Sequence, residues 1–174
     1  MRDFCVSIIK GAAVASGLPE TRVIDKPDED SLLLPKPRIE LEYMPENLTR
    51  SVKKIAKFPK PGAETRYKVL RTKIYDRELT IRATVVTKTP EELEPLVLGL
   101  LTAMPHTAGD FDNNLLTVKA SRAVRAGFGH QLVTGLPTDR FENALHLVFA
   151  GMICRDTEIP LIRNLHIKDG IQIA

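Results

Sequence analysis

The stretch RYKVLRTKIYDRELTIRATVVTKTPEELEPLVLGLLTAM, residues 66–104, decides the fold. In its middle, Leu79, Ile81, Ala83 and Val85 alternate with Thr80, Arg82, Thr84 and Val86, the two-residue period of a strand. Residues 66–75 read as a partner strand, and Asp76-Arg77 between them has the length of a hairpin connection. Thr89-Pro90-Glu91-Glu92 then starts a helix. Thr89 sits where a side chain caps, Pro90 falls at N1, Glu92 completes a capping box, and two acids meet the positive end of the helix dipole. Leu93, Leu96, Val97, Leu100, Leu101 and Met104 recur at the spacing of one helical face. Pro95 removes a donor early in the helix and predicts a slight bend, and Pro105 ends it.

Upstream, residues 2–16 carry a helical stripe of Phe4, Ile8, Ile9, Ala12 and Ala13, stopped by Gly17 and kept from resuming by Pro19. Residues 25–30, with Pro27, read as a polar turn. In residues 38–43, Ile39, Leu41 and Tyr43 alternate with Arg38, Glu40 and Glu42, as in a half-solvated strand. Pro35 and Pro37 place its entry at a sheet edge. Residues 47–64 read as a long basic loop with one helical turn near 52–56, and a loop of that length inside a compact domain is functional or disordered.

Downstream, residues 106–114 form a turn-rich connector, residues 115–120 a strand, and residues 121–137, with three glycines, fit no single element. Residues 141–154 are the last long strand. Leu145, Leu147, Phe149, Gly151 and Ile153 share one face, and His146, Val148, Ala150 and Met152 the other. A strand apolar on both faces is covered twice or lies in an interface, which makes His146, Val148 and Met152 candidate subunit contacts. Residues 157–162 and 165–173 read as short closing strands. The sum is an α+β fold in a single domain over residues 1–174: a mixed, mainly antiparallel sheet with an N-terminal helix and a central helix packed on one face, and a basic loop at 47–64.

Length and composition suit one soluble globular core, and the absence of Trp leaves that core to Leu, Ile and Val. Cys5 and Cys154 make neither a disulfide framework nor a metal motif and read as small core residues in a reducing compartment. Ala13-Val14-Ala15 imitates a signal-peptidase site, but Asp3 and Lys10 break the required charge and apolar regions. No apolar run approaches the roughly 18 residues of a membrane span. A soluble, intracellular protein is expected.

Catalytic signatures are missing. His106, His130, His146 and His166 lie far apart, with no Cys or carboxylate at ligand spacing. Gly127-Phe128-Gly129 lacks the third glycine of a dinucleotide loop, and Asp110 and Asp112 lack the glycine and distal glutamate of a calcium loop. No nucleophile motif occurs. The expectation is a non-enzyme without cofactor or metal.

The strongest departure from an even sequence is charge. Over residues 50–88, twelve Lys and Arg face Glu64, Asp76 and Glu78, an excess of nine in a chain whose net charge is +3. Arg50, Lys53, Lys54, Lys57 and Lys60 on the loop, with Arg71, Lys73 and Arg77 on the hairpin, form the candidate interaction surface. Such cations can neutralise phosphates of duplex DNA, can match an acidic neighbour, or can simply solvate a sheet face. With no base-reading motif and few aromatics, sequence-specific and single-strand recognition are disfavoured.

Three stretches together resemble a family: Pro37-Arg38-Ile39-Glu40-Leu41-Glu42-Tyr43; Arg66-Tyr67-Lys68-Val69-Leu70 through Leu79-Thr80-Ile81 to Thr89-Pro90-Glu91-Glu92-Leu93 and Leu100-Leu101; and residues 143–154 followed by Glu158-Ile159-Pro160. Their order is similar to that of the tail-terminator and related neck or tail-completion proteins of tailed bacteriophages. Residues 51–64 and 128–139 have no counterpart in that likeness. The resemblance implies a homo-oligomeric ring, commonly a hexamer, that caps the tail tube and contributes to the neck. It implies the tube, sheath and neck or connector proteins as partners, duplex DNA passing the lumen, no membrane, and a place in the virion after assembly in host cytoplasm. The alternative is a DNA-binding or packaging-associated accessory module using residues 50–88.

Overall fold

A computed structural model describes residues 1–25, 34–59, 67–109, 114–124, 129–133 and 136–160. The elements run α1 (Arg2–Ala15), a 3-10 turn (Glu20–Arg22), β1 (Val23–Asp25), β2 (Arg38–Tyr43), β3 (Asn47–Pro59) and β4 (Tyr67–Thr87). They continue with α2 (Pro90–Ala103), β5 (Thr107–Gly109), β6 (Leu115–Val124), β7 (Gly129–Val133) and β8 (Leu136–Pro160). The sheet order is β1-β2-β4-β8-β6-β5, with β3 paired to β4 and β7 to β8. The pair β1–β2 is parallel, whereas β2–β4, β5–β6, β6–β8 and β7–β8 are antiparallel. The fold is α+β with a mixed, mostly antiparallel sheet.

The chain divides into two compact units. The first comprises residues 1–48 and 77–152 and contains both helices. In it, Cys5, Ile9, Ala12 and Ala13 of α1 and Leu93, Val97 and Leu100 of α2 join one apolar cluster with the sheet. The sheet contributes Ile39 and Leu41 of β2, Ile81, Ala83 and Val85 of β4, and Leu145, Leu147 and Phe149 of β8. The helices end as their residues dictate. Gly17 takes φ +88, the Gly17 N–H donates to the Val14 carbonyl at 3.0 Å, and the Leu18 N–H donates to the Ala13 carbonyl at 2.9 Å, a Schellman ending for α1. The helix α2 begins with Pro90 and tolerates Pro95 within it, but Thr89 makes no side-chain cap bond, so the expected capping box is not formed.

The second unit comprises residues 49–76 and 153–174. Its described part is most of β3, the first part of β4 and the last part of β8. Both β4, with 21 residues, and β8, with 25, run through the two units.

Several expectations are corrected. Asp76-Arg77 is not a turn, because β4 passes straight through it. A two-residue hairpin loop favours positive φ at both central residues, which Arg77 does not supply readily, and both side chains are held by ion pairs, Asp76 to Lys73 and Arg77 to Glu46. Over Asn47–Pro59 the expected basic loop, with its helical turn near 52–56, is a strand; β-branched Thr49, Val52 and Ile55 favour that form, and β4 supplies its ladder. Lys60 and the rest of 60–64 lie outside the described residues. The strand β2 is not an edge, since β1 pairs with Ile39–Leu41 through Val23–Asp25, and both prolines precede its ladder. The strand β6 extends past residue 120 to Val124 across a register shift between Ala120 and Arg122. Residues 157–160 are the end of β8 rather than a separate strand, while 165–173 and most of 25–30 lie outside the described residues.

Candidate functional site

The expected half-solvated face of β2 is buried at its start: Arg38 is 0% and Glu40 7% exposed. Register places Glu40 across from Thr84 and Glu42 across from Arg82. The Arg38 Nε–H donates to Glu40 Oε1 at 2.7 Å, and an Arg38 Nη1–H donates to the Leu34 carbonyl at 2.7 Å. From β8, an Arg140 Nη2–H donates to Glu40 Oε2 at 3.0 Å, and Arg140 also pairs with Glu142. Two arginines and two glutamates thus neutralise each other where a lone charge would be costly. Glu40, Arg140 and Glu142 border an open groove of about 620 Å³ that Arg2, Tyr43 and Arg82 also line. At its rim the Arg2 guanidinium lies 3.7 Å from the Tyr43 ring centre and pairs with Asp25, whose carboxylate also accepts from the Tyr43 hydroxyl. Burial is the main cause raising the Tyr43 phenol above its ordinary value. Every cation of this network already has an acid, which makes it an anchor between strands. The signal for it lay in Arg38-Ile39-Glu40 and Arg140-Phe141-Glu142, two strands carrying the same charge alternation.

The predicted basic surface divides into two groups. Arg71 pairs with Asp156 at 2.8 Å and Lys73 with Asp76 at 2.9 Å, and each partner carboxyl is held below its ordinary range chiefly by that hydrogen bond. Arg77 pairs with Glu46, and Arg82 with Glu42 at 3.3 Å. These cations of β4 are locally balanced. Arg50, Lys53, Lys54 and Lys57 of β3 are exposed and form no ion pair among the described residues. On the same strand Val52 is 66% and Ile55 45% exposed. Among the described residues, four cations of the charge excess therefore form an unbalanced stretch on β3, interleaved with aliphatic side chains.

The late strand buries Leu145, Leu147 and Phe149, while His146, Val148 and Met152, the predicted subunit contacts, are half-buried. Burial pushes the Cys5 thiol up to about 11, which leaves it inert at neutral pH. Among the described residues no three of His, Cys, Asp and Glu converge on a metal position, and no helix is long and apolar enough to cross a membrane.

A second groove, of about 320 Å³, escaped the sequence reading. It follows α2, with Leu93, Val97, Leu98 and Leu101 as its apolar wall and Glu94 and Asn143 at its polar margin. Leu98 is 57% exposed, so the apolar face of α2 is not wholly committed to the core. Asn143 Oδ1 is buried without a hydrogen-bond partner among the described residues. No protein-family model matches the chain, and no curated protein matches it.

Proposed function

We propose that this chain is a structural protein of a tailed phage, or of a prophage tail-like particle, that caps the tail tube as an oligomeric ring and forms part of the neck or head-tail joint. The observation that carries this reading is the second unit. Among its described residues only Val69 is buried, while Val52, Ile55 and Tyr67 stay 66%, 45% and 44% exposed. Strands with so little core of their own are marginal in water, and exposed aliphatics on a strand favour cover by another chain. The order α1, β2, β4, α2, β6 and β8, with its mixed sheet, is compatible with the ring-forming family that the sequence resembles. Function in this reading is surface complementarity: subunits join around the tube end, stop its growth and offer a platform to the neck. The place of action is the virion. The test is light scattering of the purified protein, alone and with tail tubes, followed by electron microscopy. Discrete ring-sized particles or capped tube ends are expected; a strict monomer that ignores tubes refutes the proposal.

One observation favours a second reading, a DNA-binding or packaging-associated module: four exposed cations of β3 that form no ion pair among the described residues, with no acid anywhere in Asn47–Pro59. Four phosphate contacts give a salt slope of about −3.6 in log affinity against log salt. Filter binding of duplex DNA at two salt concentrations measures it, and salt-independent or absent binding removes this reading.

A further inference from the structure

Two exposed surfaces among the described residues have complementary chemistry. The strand β3 presents Arg50, Lys53, Lys54 and Lys57 around exposed Val52, with no acid. The helix α2 presents Glu91, Glu92 and Glu94 beside exposed Leu98, with no cation over Pro90–Ala103. We propose that β3 of one copy docks on the α2 groove of the next copy, Val52 covering Leu98 and Lys54 reaching Glu94. This inference rests on the self-assembling ring reading above.

Spacing supports the match. Residues two apart on a strand stand about 6.6 Å apart on one face, which sets the distance from Val52 to Lys54. Residues four apart on a helix stand about 6 Å apart along its axis, which sets the distance from Leu98 to Glu94. With Val52 on Leu98 and Lys54 on Glu94, Arg50 falls one strand repeat further toward the C-terminal end of α2, where the helix dipole favours a cation. The occupant is a second copy because both halves of the joint occur on one chain at different places. Such a heterologous joint repeats from subunit to subunit and closes into a ring when the rotation allows.

The test uses two variants of the full chain, Val52→Asp to block the strand and Leu98→Asp to block the groove. Both residues are exposed, and circular dichroism verifies folding. By analytical ultracentrifugation, wild type is expected to assemble and each variant alone to remain monomeric. An equimolar mixture is expected to form a 1:1 dimer and nothing larger, since only one joint is then available. As a second measurement, Lys54→Glu and Glu94→Lys each raise the dissociation constant about tenfold or more, and both together in one chain recover most of the loss. A wild type that assembles but ignores these substitutions, or a mixture that stays monomeric, overturns this joint and leaves the ring reading standing. A wild type that stays monomeric even on tail tubes overturns the ring reading and the joint with it.

Discussion

Substituting Glu40→Ala removes the carboxylate that two arginines share. It accepts from Arg38 at 2.7 Å and from Arg140 at 3.0 Å, and the three side chains are 0%, 8% and 13% exposed in the order Arg38, Glu40, Arg140. Among the described residues Arg140 keeps Glu142, whereas Arg38 keeps the Leu34 carbonyl and no acid, so the uncompensated buried charge falls mainly on Arg38. Breaking a buried pair by removing one partner costs about 3–5 kcal/mol. The matched control is Glu42→Ala, whose partner Arg82 sits 3.3 Å away with side chains 59% and 40% exposed. Solvent screening limits that pair to about 1 kcal/mol or less. Urea unfolding of both variants, with the denaturant slope checked for constancy, measures the difference. Replacing the pair together, Arg38→Met with Glu40→Leu, is expected to cost less than Glu40→Ala alone, because no buried charge is then orphaned. Equal losses for Glu40→Ala and Glu42→Ala refute the reasoning.

Gly17→Ala places a side chain at φ +88 with open space around it, so only the backbone resists, at about 1 kcal/mol by thermal or urea unfolding. Gly99→Ala sets its Cβ 3.0 Å from the Ser16 Cβ, and crowding of about 1–3 kcal/mol there is set against the roughly 1 kcal/mol that alanine gains over glycine inside a helix, so a net loss of about 0–2 kcal/mol is expected by the same measurement. Cys5, with its thiol raised from an ordinary 9.0 to about 11, favours the folded state while neutral. Its contribution is complete below the ordinary value and declines as pH rises toward the folded one, at up to about 1.4 kcal/mol per pH unit. Stability measured against pH should lose that slope in Cys5→Ala. Native Cys5 should also resist a thiol reagent near pH 8 until the protein is unfolded.

Periodicity made the fold class legible. The stripe from Leu93 to Leu101 located α2, Gly17 located the end of α1, and the alternation from Leu79 to Val85 located the strand that carries much of the core. The misreadings lie where short-range chemistry imitates another element. Asp76-Arg77 looks like a turn, yet both side chains reach ion-pair partners, one of them across 31 residues at Glu46, which local pattern does not report. Over 47–59, dense lysines masked the β-branched residues that hold a strand against β4. The burial of Arg38 and Glu40 depends on Arg140, 100 residues beyond Glu40, so their alternation with apolar neighbours looked like a solvent face. The charge excess was visible in the sequence, but only the ion pairs of Arg71, Lys73, Arg77 and Arg82 separate the balanced β4 cations from the exposed ones on β3.

In the proposed function, the surface of this protein is completed by further copies of itself at the end of a tail tube. The most direct measurement is the mass of the purified full chain by light scattering across a range of concentrations, repeated with tail tubes present. A discrete cyclic oligomer, free or seated on tube ends, is expected, and its loss in Val52→Asp. A protein that keeps the mass of one chain at every concentration and leaves tube ends bare contradicts it.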